Sequence, residues 1–481
     1  MSRLTRQTAA LPEQERLPER ILQFGDGNFL RGFADDFVDR MNREADFNSG
    51  VVIVPPASTG KTPRINRQDG LYHLFLRGRQ DGRTVDERRL IGCVTRAIDV
   101  YDQWEELLAL VCRKELRFVI SNTTEAGICY IPDCRFDDAP PSSFPAKVTR
   151  LLWQRWHAGE GGLIFLPCEL IADNGKTLRE MVLRHAGDWA LEEAFVRWVR
   201  EENTFCDTLV DRIVTGYSAQ LAEQLQAETG LEDALVDTAE PFGLWVIEGD
   251  DAVAREFPAE RAGLPVKFVS DHHPYKEQKV RILNGGHTCM VPVAFLLGHD
   301  IVRTGMEDPA VRGYLEDVLF REVIPTLPLP QADCERFARS VEERFANPYV
   351  DHKLLDIALN SVSKWRTRVL PSLTGYLRQK GRLPVRLVFS FAALCALYTQ
   401  GQRAGAAYSL RDEDAVLSFF ARHREDTAAA LVRALAARED LWGQDLTLLP
   451  GFTATAASYL DRIRRDGMAA ALAACQKEAA Q

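Results

Sequence analysis

Short apolar runs alternate with amphipathic stretches through the first half of this chain, and that alternation constrains the fold more than any other feature. RILQFG (20–25), GVVIVPP (50–56), LRFVISNT (116–123) and GLIFLPCEL (162–170) predict strands. Between them, 29–44, 98–113 and 145–157 carry apolar residues at helical spacing. Strand and helix in alternation predict an α/β arrangement, a parallel sheet with helices on both faces. PFGLWVIEG (241–249) and VKFVSD (266–271) add later strands, and after DHHPY (271–275) the texture turns helical to the C-terminus. At 481 residues the chain exceeds the size at which one core stops growing. The expected organisation is two domains, residues 1–270 around the sheet and 271–481 mostly helical.

ILQFGDGNFLRGF places Gly25-Asp26-Gly27 directly between the first predicted strand and a helix. A dinucleotide-binding, Rossmann-type domain needs small residues there, because the backbone approaches a pyrophosphate at a helix N-terminus. Leu30 occupies the position of the third glycine of GxGxxG, and Asn28 and Arg31 offer polar groups to phosphate. The second strand, VVIVPPASTGK, does not end in the acid that binds the adenosine ribose of NAD. Ser58, Lys61 and Arg64 follow instead, which taken alone lean toward NADP. A Walker loop is excluded, since STGKT (58–62) lacks the earlier glycine.

KVRILNGGHT (279–288) sets Lys279, Asn284 and His287 in an otherwise apolar segment. On an α-helix they project at about 0°, 140° and 80°, one face with His287 between the others. Gly285 and Gly286 weaken the helix and let another group approach its backbone. The trio has the groups that reduction of a carbonyl requires: a lysine proton donor, an amide for the developing oxyanion, and an imidazole to orient either.

Composition narrows the partners. A net charge of −10 argues against nucleic acid and against an anionic membrane surface. The longest apolar stretch, LVFSFAALCALY (387–398), is too short to span a bilayer and reads as a buried helix. The N-terminus carries no apolar run of signal-peptide type. Ten scattered cysteines, without a CxxC pair or a clustered His/Cys set, point to a reduced, cytoplasmic protein without a zinc site.

The spacing Lys-x4-Asn-x2-His together with the degenerate GxG resembles the mannitol dehydrogenase family of polyol-specific long-chain dehydrogenases. QFGDGNFLRGF (23–33), QDGLYHLFLRG (68–78), ISNTTEAGI (120–128), PCELIADNG (167–175), KVRILNGGHT and LNSVSKWRTRVLPSL (359–373) are similar, in order, to its keto-uronate-reducing branch. The resemblance implies a Rossmann-type N-terminal domain, a largely α-helical C-terminal domain, NAD as cofactor, and a keto-uronate or aldonate as small-molecule substrate. It also implies chemistry without a metal, in a monomer or homodimer. By motif position Lys279 is the catalytic acid/base, with Asn284 and His287 beside it. The cofactor falls to Phe24, Gly25, Asp26, Gly27, Asn28, Phe29, Leu30 and Arg31, with Thr124 and Glu125 on the nicotinamide side.

One departure stands out. Polyol-type members carry Cys-Asp-Asn where this chain has Cys168-Glu169-Leu170, and leucine cannot supply their second oxyanion donor; Asn174 is the candidate replacement. A uronate carboxylate calls for a cation, and Lys364, Arg366 and Arg368 alternate at spacing two, which in extended chain puts them on one side. Asp211 and Arg212 also match a family motif, with substrate contact and structural pairing both open. The alternatives are a reductase of a different keto-uronate, a polyol 2-dehydrogenase, or an inactive dinucleotide-binding regulator.

Overall fold

The computed structural model describes residues 2–11, 17–55, 60–124 and 126–479. The chain divides into two compact units, Met1–Arg77 with Thr84–His272, and Gly78–Arg83 with His273–Gln481.

The first unit is built on a six-stranded sheet: β1 (Glu19–Phe24), β2 (Gly50–Val54), β3 (Val94–Ala97), β4 (Phe118–Ser121), β5 (Ile164–Pro167) and β6 (Thr204–Phe205). Their order is β3-β2-β1-β4-β5-β6 and every neighbouring pair is parallel. Successive side chains of a strand point to opposite faces, and here both faces are covered. Ile21, Ile53, Phe118 and Ile120 pack with Phe33, Phe37 and Trp245 on one side. Leu22, Phe24, Val52 and Val119 pack on the other side with Leu107 and Leu151, from helices Trp104–Val111 and Phe144–His157. Burial on both faces is why these strands read as unbroken apolar runs rather than as an alternation. The chain order reverses between β1 and β4, so the switch point of this Rossmann-type sheet lies beyond Phe24 and Ser121.

Two further three-stranded sheets belong to the unit, together with a short parallel pairing of Ser2–Arg3 with Leu231–Glu232. Tyr72–Gln80 and Arg83–Ile91 form a hairpin, with Asp237–Ala239 parallel to its first strand. Asp81 and Gly82 turn it with φ of 51° and 74°, the left-handed pair that a two-residue turn demands. Thr208–Asp211, Leu244–Glu248 and Val266–Val269 form the other sheet.

The second unit is largely α-helical. Its central helix, Val385–Gln400, is buried along nearly its whole length. His273–Gln278 runs through a π turn, Lys279–Asn284, into helix Gly285–Leu296. A Cβ on Gly285 would lie 3.2 Å from the Arg368 carbonyl, and one on Gly286 3.4 Å from Leu315. The paired glycines therefore admit the chain's own helices, not an outside molecule. Among the described residues no helix is long and apolar enough to cross a membrane.

Candidate active site

In the first unit, candidate groups gather at the carboxyl ends of β1, β4 and β5. Gly25 leaves β1 with φ of 134°, and a Cβ there would meet Leu30 Cδ1 at 2.9 Å and the Asn122 carbonyl at 3.0 Å. No other residue fits this position. Gly27 precedes the helical segment 28–44, and nothing lies within 4 Å of where its Cβ would be. A forced turn followed by open backbone at a helix start is the cradle a dinucleotide pyrophosphate requires.

The neighbouring residues divide into frame and surface. Phe24 and Leu30 belong to the core, and Phe29 stacks on Phe33 with centroids 5.2 Å apart. Asn28 is exposed, and its Oδ1 accepts a 2.7 Å hydrogen bond from Arg31. Arg31 itself is buried, facing Asp237 at 3.6 Å and lying over the Tyr72 ring. The expectation that Arg31 reaches phosphate is thus corrected: a carboxylate over two hundred residues away draws it inward. Asp26 is also buried, and its carboxylate faces the Lys61 ammonium at 3.5 Å.

At the end of β4, Thr124 holds a φ of 75°, an outlier for a β-branched residue. Glu125 lies outside the described residues. Glu169, just past β5, joins two strand ends: its Oε1 accepts from the Thr123 N–H and hydroxyl at 2.9 Å each, and its Oε2 accepts from the Ser121 hydroxyl at 3.0 Å. Burial raises its pKa above the ordinary carboxylate range, opposed by those hydrogen bonds. Sequence reading passed over Glu169 as a site residue. Its signal was an acid placed directly after an all-apolar strand.

Leu170 points outward, 63% exposed. Asn174 does not take its place as an oxyanion donor. Its Nδ2 donates to the carbonyls of Pro167, Glu169 and Thr208 at 3.0–3.1 Å, and its Oδ1 accepts from the N–H groups of Gly175 and Thr208. This amide is fully committed to the backbone. Arg212 is likewise structural, donating to the Gly32 carbonyl and Asp36 at 2.8 Å and to the Phe242 carbonyl at 2.9 Å. Asp207, Glu248 and His272 bring potential metal ligands within 4.8 Å of one another. The Lys176 ammonium bridges two of these, 2.8 Å from Asp207 and 3.3 Å from Glu248.

In the second unit the π turn changes how the trio is arranged. A π turn bonds residue i to i+5, so Lys279 and Asn284, at its two ends, project closer together than the 140° of an α-helix. Such turns concentrate at functional sites. Asn284 is half-buried, and its side-chain amide has no hydrogen-bond partner among the described residues. Its own carbonyl accepts from the Thr288 hydroxyl at 2.9 Å, which steadies the segment.

His287 stacks on Phe345 and meets the His352 ring edge-on at 5.7 Å. Loss of solvent pushes its pKa well below the usual histidine value, and the neighbouring basic groups His352, Arg344, Arg368 and Lys364 push it further. No sequence signal marked Phe345, His352 or Arg344, because their contacts with His287 cross more than fifty residues.

Lys364, Arg366 and Arg368 lie on helix Ser361–Arg368, not on extended chain. Lys364 and Arg368, one turn apart, share a face. Arg366 turns away, exposed beside Gly443. The expectation that all three face one way is corrected for that reason. Lys364 Nζ donates to the Ile357 carbonyl at 2.8 Å, and burial and Arg368 lower its pKa. The Arg368 guanidinium, partly buried, makes no hydrogen bond or ion pair among the described residues, and burial lowers its pKa. A partly desolvated cation without a counter-charge is a receptor for an anion.

Residues 19–260 match the mannitol dehydrogenase Rossmann domain, and 271–464 the mannitol dehydrogenase C-terminal domain. Altronate oxidoreductase from Escherichia coli O139:H28 is 47% identical over 462 residues, 94% of this chain and 95% of the relative. The altronate oxidoreductase of Klebsiella pneumoniae (strain 342) is 46% identical with the same coverage. Among solved structures, a D-sorbitol dehydrogenase in substrate-free form superposes with a TM-score of 0.82 at 26% identity, over 98% of this chain and 100% of its own. Pseudomonas fluorescens mannitol 2-dehydrogenase, in ternary complex with NAD and D-mannitol, gives a TM-score of 0.69 at 24% identity, over 99% and 100%.

Proposed function

The chain belongs to the mannitol dehydrogenase family, and we propose that it is an NAD-dependent reductase converting the keto-uronate tagaturonate to altronate, reversibly. The observation that carries the uronate reading is the uncompensated Arg368 guanidinium beside His287, with Lys364 one turn away. The identity to altronate oxidoreductases supports the same substrate.

Gly25 and Gly27 would hold the dinucleotide pyrophosphate against the start of the segment 28–44, with Thr124 on the nicotinamide side. When bound, the reduced nicotinamide supplies hydride to the carbonyl carbon. The Lys279 ammonium donates the proton that the carbonyl oxygen takes up as the C–O bond becomes single. Asn284 Nδ2–H stabilises the negative charge on that oxygen before the proton arrives. His287, held neutral, orients the reacting groups without adding a charge that would compete with Lys279. Lys364 and Arg368 receive the carboxylate.

The test is loss of NADH absorbance with the purified chain against tagaturonate, fructuronate, fructose and the corresponding polyols in reverse. Tagaturonate should give the highest kcat/KM, and a preference for fructose or mannitol would sink the reading. Lys279→Ala should lower kcat by about 10²–10⁴-fold, the usual worth of a general acid, while leaving NADH binding in place.

A further inference from the structure

The residues after β2 raise a problem that the structure answers elsewhere. In folds of this kind an acid at that point binds the adenosine ribose and excludes the 2′-phosphate of NADP. Here PPASTG (55–60) contains no acid, and the next residues, Lys61 and Arg64, are cations that a 2′-phosphate would attract. Arg64 lies exposed on helix Thr62–Arg67, directly after Lys61.

An acid is nevertheless present at the cofactor turn. Asp26, between Gly25 and Gly27, is 5% exposed, and its Oδ2 is 3.5 Å from the Lys61 ammonium, itself 45% exposed. The position of Asp26 is fixed on one side by Gly25, which admits no side chain.

We propose that Asp26 sets the preference for NAD over NADP, replacing the missing acid of the second strand. It acts in two ways. It occupies Lys61, so that this cation is already neutralised when a dinucleotide arrives. It also presents a negative charge to a 2′-phosphate, which carries between one and two negative charges near neutral pH. Lys61, one of the two cations that suggest NADP in the sequence, is therefore masked by a residue thirty-five positions earlier. This proposal rests on the dinucleotide-binding reading of the first unit and is independent of the substrate.

Calorimetric titration of the full chain with NAD and with NADP tests it without reference to turnover. Wild type should bind NAD more tightly. Asp26→Asn should move the ratio of the two Kd values toward NADP by about tenfold, equivalent to about 1.4 kcal/mol. Asp26→Asn combined with Lys61→Ala should return most of that shift. Lys61→Ala alone alters an exposed side chain and does not depend on Asp26→Asn folding. It should move the ratio further toward NAD, because a cation that a 2′-phosphate would attract is gone while the Asp26 carboxylate remains. A ratio within about twofold of wild type in folded Asp26→Asn would overturn the proposal, as would a Lys61→Ala ratio that stays put or moves toward NADP. Failure of wild type to bind either nucleotide would remove the dinucleotide reading, and this assignment with it.

Discussion

His287 lies flat on Phe345, with ring centroids 3.8 Å apart and planes 15° from parallel. The stack hides one face of the imidazole from water, and four basic side chains around it oppose a positive charge on the ring. The ring is therefore neutral in the folded chain, at pH values where an exposed histidine begins to charge.

This has a consequence for stability. A histidine whose folded pKa is depressed contributes stability that is full above its unfolded value, 6.5, and is lost as pH falls through that value. The unfolded chain takes up a proton that the native state refuses. The Tm of wild type should therefore drop on acidification below about 6.5 more steeply than that of His287→Gln. Parallel Tm–pH curves for the two proteins would show that His287 is protonated in the fold.

Two asparagines that both belong to family motifs should fail in different ways. The side-chain amide of Asn284 is uncommitted among the described residues, whereas that of Asn174 is spent on the backbone. Asn284→Ala should leave Tm nearly unchanged and lower kcat by about 10²–10³-fold, the typical worth of one oxyanion donor. Asn174→Ala should lower stability, at about 1–3 kcal/mol for each buried group left unpaired. Thermal melts alongside kcat separate the two. A catalytic loss in Asn174→Ala without a melting change would reinstate it as the second donor.

The arginines of the 361–368 helix make a second contrast. A charge-assisted hydrogen bond is worth about 1.5–3 kcal/mol, or roughly 10–150-fold in kcat/KM. Arg368→Ala should lose that much on the keto-uronate and far less on an uncharged ketose, and Arg366→Ala should change neither. Equal effects of Arg366→Ala and Arg368→Ala on the uronate/ketose ratio would refute the assignment.

Legibility in the sequence followed the range of the interactions. The strands buried on both faces were readable, because an apolar run bounded by turn residues is a local signal. So was the GxG turn, a short pattern directly after an apolar run, although glycine at 25 is demanded by the distant Asn122 carbonyl as well as by nearby Leu30. The strand Val94–Ala97 does not stand out because its middle residues, Thr95 and Arg96, are polar and only partly buried, and the hairpin around Asp81-Gly82 because its second strand is largely exposed and lacks an apolar run. The basic stretch was read as extended although Ser361–Arg368 is a helix, which broke the trio into a pair and an outlier. The π turn at Lys279–Asn284 escaped because α-periodicity was assumed throughout. Arg31 and Asp26 mark the limit of such reading: both look like phosphate-site residues in sequence, and distant partners decide what each does.

The last expectation concerns a buried acid behind the cofactor turn. Asp35 is fully buried, and burial pushes its pKa from 3.8 up to about 7, against the opposing pull of Tyr72, Arg31 and Gln23 and with Asp39 adding to the rise. The Tyr72 hydroxyl donates to Asp35 Oδ2 at 3.0 Å. Asp35 Oδ1 and Gln23 Oε1 are both buried acceptors without donors among the described residues. A proton on Asp35 gives its buried carboxyl a hydrogen to offer and removes a buried charge. Because the folded pKa is raised, the stability linked to that proton is full below 3.8 and lost as pH rises through about 7. Asparagine at this position keeps an acceptor for Tyr72 and supplies a donor at every pH. The Tm of Asp35→Asn should match wild type near pH 4, exceed it increasingly up to about pH 7, and hold a constant lead above that. If Asp35→Asn melts below wild type at pH 8, the carboxylate is needed charged, and its partner is the neighbouring Arg31.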